Sequence, residues 1–325
     1  MIPQLPDDTL LAEIESFAVQ LARNAGDSLS GHFGSTLAVE YKDKKESDPV
    51  SAADRDTEKI LTRAIAERFP GHGILGEEGT GDEGALAPDF VWALDPLDGT
   101  KNFLAGLPVY ACSIGVLHRG VPVVGAIYLP WPTESGGVVY HARVGGGAFA
   151  DDEPISAPET AESRGGSLVG LPGHFGAAYR VKKPMRSRLG EPRVIGSIAY
   201  ELAMVARGVL HYSLIGGAHL WDMAGGAVLV AEAEGLMMRR RRANGIGGLL
   251  GAVRWEPTGS LVRTWESGVT TMGQLRKWRA SMVLGSPGAV RFVTAHLQRR
   301  ILLRRRLAGV ARRVRLGRRG DRPGA

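Results

Sequence analysis

No segment limits the fold of this chain more than Val91–Phe103, VWALDPLDGTKNF. Its opening residues form an apolar run suited to a buried strand, and Pro96 lacks the N–H that would continue a ladder. Leu97, Asp98, Gly99 and Thr100 then turn the chain toward a short helix, leaving Asp95 and Asp98 three residues apart at the corner. Two carboxylates and the Leu97 carbonyl on one side of such a corner match the all-oxygen preference of a hard divalent cation such as Mg²⁺. The N–H groups of Gly99 and Thr100 offer an anion site beside it. Taken alone, the same residues equally suit an ordinary turn with Asp98 or Thr100 as a helix cap.

Two distant segments also place acids at the ends of apolar stretches. ILGEEG at Ile74–Gly79 sets Glu77 and Glu78 after a short strand, and LWDMAGGAVLVAEAEG at Leu220–Gly235 sets Asp222 at the start of an apolar helix. Each has a plain reading, exposed acids in the first case and an N-cap in the second. Their combination with the aspartate corner points to chemistry.

Around these segments, apolar residues at three-to-four spacing predict one helix over residues 8–30, capped by Asp7 or Asp8, and another over Ala52–Phe69. The charged stretch Tyr41–Pro49 between them reads as an exposed loop. Short apolar runs at Gly73–Leu75, Phe90–Leu94, Ala111–Leu117, Pro122–Tyr128 and Gly136–His141 predict strands of a largely hairpin-connected sheet. Asp151–Gly165 is rich in Asp, Glu, Pro and Ser and reads as a seam. Beyond it, strands are expected at Ser167–Leu171, Val194–Gly196 and Val209–Leu214, and helices at Ile198–Ala206, Trp221–Ala233 and Pro287–Leu297. The chain thus divides into an α+β domain over residues 1–155, an α/β domain over 156–298 and a basic tail over 299–325.

Composition removes several function classes. One cysteine among 325 residues excludes a disulfide framework and multi-thiolate metal sites, and Cys112 itself reads as a small core residue. No zinc-type histidine pair and no apolar run long enough for a membrane span is present. The N-terminus has no basic-then-apolar leader, so a cytoplasmic setting is expected. The net charge of +6 resembles a nucleic-acid signal until it is divided: residues 299–325 carry 11 arginines and one acid, whereas the remaining 298 residues carry 29 basic and 33 acidic side chains. In the tail, Leu303, Leu307, Val310 and Val314 recur at helical spacing among arginines, describing a basic amphipathic helix for an anionic surface, whether nucleic acid, lipid or acidic protein. A solvated extension without a partner is the plain alternative.

In this order, GEE, DPLDGTKNF and WDMAGGAVLVAEAEG, preceded by DPVSAAD at Asp48–Asp54, resemble the motifs of the Mg²⁺-dependent, lithium-sensitive phosphatases typified by inositol monophosphatase. The likeness spans about residues 8–298. It implies a layered α/β/α/β/α sandwich of the inositol monophosphatase and fructose-1,6-bisphosphatase type. It implies two or three Mg²⁺ ions held by Glu77, Asp95, the Leu97 carbonyl, Asp98 and Asp222, with phosphate held at Gly99 and Thr100. Asp54 then orients the Thr100 hydroxyl, Gly196, Ser197 and Ile198 fall on a substrate-side turn, and Asp222 contacts substrate as well as metal. The implied reaction is in-line attack on phosphorus by a metal-activated water, assisted by Glu77 and Thr100, on a small phosphorylated substrate.

Departures from the inositol-processing pattern leave the substrate open. Ile215 stands seven residues before Asp222, where relatives acting on inositol phosphate often carry a glutamate. Fructose bisphosphate, histidinol phosphate and 3'-phosphoadenosine 5'-phosphate are therefore alternative substrate classes. Residues 236–270, with Arg239–Arg242 and glycines at 245, 247, 248 and 251, diverge and read as a surface loop, with a contribution to substrate choice as the alternative. His219 reads as pocket lining or packing, and Lys42–Ser47 as a loop able to close over the site. Dimerisation is expected because many relatives dimerise. A competing function class is a regulatory binding protein that keeps a phosphatase-like body and acts through its basic tail.

Overall fold

The structure, a computed structural model, describes residues 5–35, 39–41, 49–79, 82–133, 136–157, 166–242 and 253–299. Helix α1 (Asp8–His32) begins where Asp7 accepts the Thr9 N–H at 2.9 Å, and it buries the stripe Leu11, Ile14, Ala18, Leu21, Ala25 and Leu29. A ribbon of β1 (Val39–Tyr41) and β2 (Pro49–Ser51) precedes α2 (Ala52–Arg68). Both helices cover one face of a seven-stranded sheet of β3 (Gly73–Gly76), β4 (Phe90–Asp98), β5 (Ala111–His118), β6 (Val121–Leu129), β7 (Val138–Arg143), β8 (Gly147–Ala150) and β9 (Glu153–Ile155), in that order. β3 pairs in parallel with β4, and every later pair is antiparallel. The short helix α3 (Thr100–Leu104) interrupts the path from β4 to β5.

The second sheet has the order β12-β10-β13-β16-β14-β15, built from β10 (Leu168–Gly170), β12 (Glu191–Arg193), β13 (Tyr212–Ala218), β14 (Leu236–Arg242), β15 (Val253–Pro257) and β16 (Ala280–Gly285). Helices α6 (Ile198–Ala206) and α7 (Leu220–Glu232) lie between the sheets, and one core runs from Leu75 and Ile127 through Leu202 and Val228 to Met282. Helix Pro287–His296 covers the outer face through Val290 and Val293. A side ribbon of β11 (Tyr179–Val181) and β17 (Leu297–Arg299) adjoins the short helices α4 (Phe175–Ala178) and α5 (Lys183–Arg186). The layers therefore alternate α/β/α/β/α, as the resemblance implies.

Close backbone approach seats α7 on the first sheet. A Cβ on Gly125 would lie 2.2 Å from the Gly225 carbonyl oxygen, and one on Gly115 would lie 2.4 Å from Ala224 Cβ. Only glycine lets the helix settle at this depth, and the helix carries Asp222 in its first turn.

Three expectations are corrected. Val194–Gly196 is not a strand: pairing ends at Arg193, and Gly196 at φ +82° turns the chain into α6. The strand expected at Val209–Leu214 starts at Tyr212, after a turn with Gly208 at φ +76°. Arg239–Arg242 lie not in a surface loop but on β14, paired with β15 and β16. The half-buried Arg239 is accommodated there because its guanidinium donates to the Leu261 carbonyl at 2.9 Å and sits 5.3 Å from the Trp278 ring centre. The glycines at 245–251, the loop 42–47, most of the seam and residues 300–325 fall outside the described residues. Among the described residues no helix is long and apolar enough to cross a membrane.

Candidate active site

The aspartate corner is built by a β-bulge. Asp95 pairs with Ser113 and Asp98 with Ala111, so three steps along β4 face two along β5, and Pro96 and Leu97 fill the excess. The bulge ends the ladder and re-aims the chain. Gly99 follows at φ +95°, where a Cβ would also press on Ser197 Cβ and the Val109 carbonyl oxygen, each at 3.1 Å. Thr100 then opens α3, its hydroxyl 3.0 Å from the Leu97 carbonyl and 3.2 Å from Asp54 Oδ1 of α2. Both carbonyl and carboxylate can accept that proton.

A cavity of about 480 Å³ opens here, lined by Glu77, Asp95, Leu97, Asp98, Gly99 and Thr100 together with Gly196, Ile198, His219, Trp221, Asp222 and Arg279. The structure thus brings together four acids drawn from three separate segments, with Ser197 directly behind them. Asp98 Oδ2 accepts from the Ser197 hydroxyl at 2.9 Å and from the Ala199 N–H, and Ser197 in turn caps the Tyr200 N–H. Asp222 Oδ2 accepts the His219 N–H at 2.8 Å. Asp95 is 2 % exposed, and its Oδ1 is buried with no hydrogen-bond partner.

Such crowding is electrostatically costly. Burial, then the charges of Glu77, Asp98 and Asp222, hold the Asp95 carboxyl well above the usual range, and a hydrogen bond with Glu77 acts in the same sense. Asp98 is raised by burial and by Asp222, against the donors Ala199 and Ser197. Asp222 is raised chiefly by burial, against the His219 N–H. Among the described residues no three Asp, Glu, His or Cys side chains are drawn in to the spacing of a closed metal cage. The protein's own donors hold Asp98 and Asp222, while Glu77 and Asp95 lean on each other. An orphaned buried carboxylate oxygen among hard oxygen donors is nonetheless the chemistry a Mg²⁺-type cation fits.

Several neighbours escape sequence reasoning because their partners are remote in the chain. Arg276, on the short helix Met272–Arg276, donates to the Gly76 carbonyl at 3.0 Å, and its guanidinium sits 5.7 Å from the Trp221 ring centre. It thereby ties the turn that carries Glu77 to α7. His219 stacks on Trp221 at 4.4 Å and 10°, and burial together with Arg279 lowers the pKa of its imidazole. Asn102 bridges the Val109 and Ile195 carbonyls at 2.7 and 2.9 Å, fixing the Gly196 turn to α3. Ile215 is packed in the core of β13 and does not line the cavity. Cys112 is buried, and burial pushes its thiol up to about 12, consistent with packing alone.

Residues 10–267 match the inositol monophosphatase family. The chain is 36 % identical over 225 residues to the inositol-1-monophosphatase of Mesorhizobium japonicum, covering 67 % of this chain and 82 % of that protein. It is 31 % identical over 216 residues to the fructose-1,6-bisphosphatase/inositol-1-monophosphatase of Aquifex aeolicus, covering 65 % and 80 %. Its fold is similar to the crystal structure of extragenic suppressor protein suhB from Bartonella henselae, with a TM-score of 0.62 at 25 % identity over 85 % of this chain and 95 % of that one. Sequence match, layered fold and shared architecture agree: this chain belongs to the inositol monophosphatase family, whose members are phosphatases and generally metal-dependent.

Proposed function

We propose that this chain is a Mg²⁺-dependent phosphomonoesterase that hydrolyses a small polyol, sugar or related phosphate with water as the nucleophile. The observation that carries the reading is the meeting of Glu77, Asp95, Asp98 and Asp222 in one cavity, with an unpartnered oxygen on Asp95. These side chains and the Leu97 carbonyl would hold two or three cations. When bound, hard divalent ions neutralise the acids, polarise the phosphoryl oxygens and make an attacking water more acidic. Glu77 supplies a carboxylate that accepts a proton from that water. Asp54 biases the Thr100 hydroxyl toward one orientation, which helps move the proton away. Gly99 and Gly196 border the space for the phosphate and its alcohol, with Ser197 beside them holding Asp98, and the turn is fixed by Asn102 and by the positive φ of the two glycines.

Substrate selection follows from the residues around the cavity. Ile215 is buried in β13, so that position brings no carboxylate to the cavity, whereas Arg279 adds an exposed cation to its lining. This supports a preference for substrates bearing a second anionic group, such as a sugar bisphosphate, over neutral polyol monophosphates. The test is phosphate release across inositol, fructose, histidinol, glycerol and adenosine phosphates, with Mg²⁺ or EDTA, Li⁺ being an expected inhibitor. Asp95→Asn should lower kcat by at least roughly a hundredfold with near-UV circular dichroism unchanged. Activity surviving in EDTA, or in Asp95→Asn, rejects the assignment.

A further inference from the structure

A second cleft lies away from the acids, bordered by the β11–β17 ribbon and helices α4 and α5. Its volume is about 710 Å³, within the range of small-ligand sites, and it shares no lining residue with the acidic cavity. Phe175, Tyr179, Arg180, Lys182, Lys183 and Arg186 form most of its wall, and no acid joins them. The sequence explains the bias: residues 166–190 contain five Lys or Arg and no Asp or Glu, and residues 267–320 contain no acid either. Lys182 is committed to structure, since its Nζ donates to the Ala295 carbonyl at 3.0 Å. Arg180, Lys183 and Arg186 are exposed, and among the described residues none of the three is in an ion pair. Gathering like charges without neutralising them raises a local positive potential that an anion relieves.

The floor of the cleft is aromatic. Phe175 and Tyr179 stack at 5.7 Å and 23°, and Arg240 donates to the Tyr179 hydroxyl at 2.8 Å, which holds that ring in place. We propose that this cleft binds the phosphates of a nucleotide on Arg180, Lys183 and Arg186 with the base against Phe175. Three separated cations suit more than one phosphate group, and a half-buried ring suits a flat base. A membrane surface fits less well. The large apolar side chains exposed among the described residues are Leu5, Ile60, Leu86, Leu107, Val194, Val209 and Val269, and none of them lines the cleft to insert into lipid. The same chemistry is offered by a free nucleoside polyphosphate and by a single-stranded nucleic acid.

Isothermal titration of the full chain at low ionic strength tests this, with pyrophosphate, ATP and an oligouridylate as probes. EDTA is present, so that the acidic cavity repels anions and contributes no binding. ATP should bind more tightly than pyrophosphate. Phe175→Ala should remove that difference while leaving pyrophosphate affinity in place. The combined charge reversal Arg180→Glu, Lys183→Glu, Arg186→Glu should weaken ATP binding roughly tenfold or more, while phosphatase activity on a small ester with Mg²⁺ stays within about twofold. Asp95→Asn should bind ATP as the unaltered chain does, which separates this site from the phosphatase assignment. Tighter binding of the oligouridylate per nucleotide identifies a strand as the source, and equal or weaker binding identifies the free nucleotide. Absence of ATP binding, equal affinity for pyrophosphate and ATP, or binding untouched by the charge reversal and so attributable to the arginine tail overturns the proposal.

Discussion

At the scale of single residues, the site depends on which carboxyls the protein solvates and which it leaves strained. Glu201 on α6 is instructive because it lies outside the acidic cavity. Burial raises its carboxyl from 4.5 to about 7, although the Ser213 hydroxyl and the Ile195 backbone donate to it. A carboxyl raised in the folded state contributes stability below its unfolded value, and that contribution is lost as pH rises through about 7. Glu201→Gln keeps the shape and removes the titration. Denaturant unfolding at about pH 5 and about pH 8 should show the unaltered chain losing on the order of 2–3 kcal/mol relative to the variant between the two. Parallel stabilities would remove burial as the cause. Nothing in the sequence marks Glu201, since α6 reads as an ordinary apolar helix and Ser213 stands twelve residues on, on another element. Asp95, Asp98 and Gly99 were legible for the opposite reason: their geometry is encoded within one short stretch by Pro96 and by a glycine at positive φ. Arg276 and Asn102 were not, because their acceptors Gly76 and Ile195 lie 200 and 93 residues away.

At the scale of elements, α7 must sit at a depth that brings Asp222 to the corner of β4. That depth is set by Gly115, Gly125 and Gly225, where helix and sheet backbones touch without side chains between them. Gly125→Ala would force the two apart, and the expected cost is about 1–3 kcal/mol in denaturant unfolding with a parallel loss of kcat as Asp222 retreats. Gly31→Ala is the control. It lies in α1 with nothing within 4 Å of its added methyl, so it should be neutral or gain up to about 1 kcal/mol. If both variants behave alike, close packing does not position the helix. Amphipathic stripes made α1 and α2 readable, and apolar runs made the first sheet readable, because in both cases local period reports burial. β14 was misread because a run of arginines imitates a solvated loop; its partners β15 and β16 and the Trp278 ring supply the burial that no local pattern reveals.

At the scale of the whole molecule, the acid cluster is a stability problem that a bound cation would resolve, which gives the proposed metal dependence a readout separate from turnover. Asp95, Asp98 and Asp222 all have raised carboxyls, with burial as the leading cause. By linkage, a raised folded value means that stability is greatest below the unfolded carboxylate range and declines as pH climbs through the folded values. In EDTA, Tm should therefore fall as pH rises from about 5 to about 8. Saturating Mg²⁺ at a hundred times its Kd adds about 2.7 kcal/mol through binding to the native state alone, so the holo Tm should be higher at neutral pH and flatter across the range. The substitution expected to lower kcat predicts the reverse in stability: Asp95→Asn removes one buried titrating acid, and its Tm in EDTA at neutral pH should exceed that of the unaltered chain, while its gain on adding Mg²⁺ should shrink. Differential scanning calorimetry over this grid separates the cases. A Tm that ignores Mg²⁺, or an Asp95→Asn variant less stable than the unaltered chain in EDTA, would mean that the four acids are held by protein contacts alone, and the cation-binding reading of the cavity would then be abandoned along with the chemistry built on it.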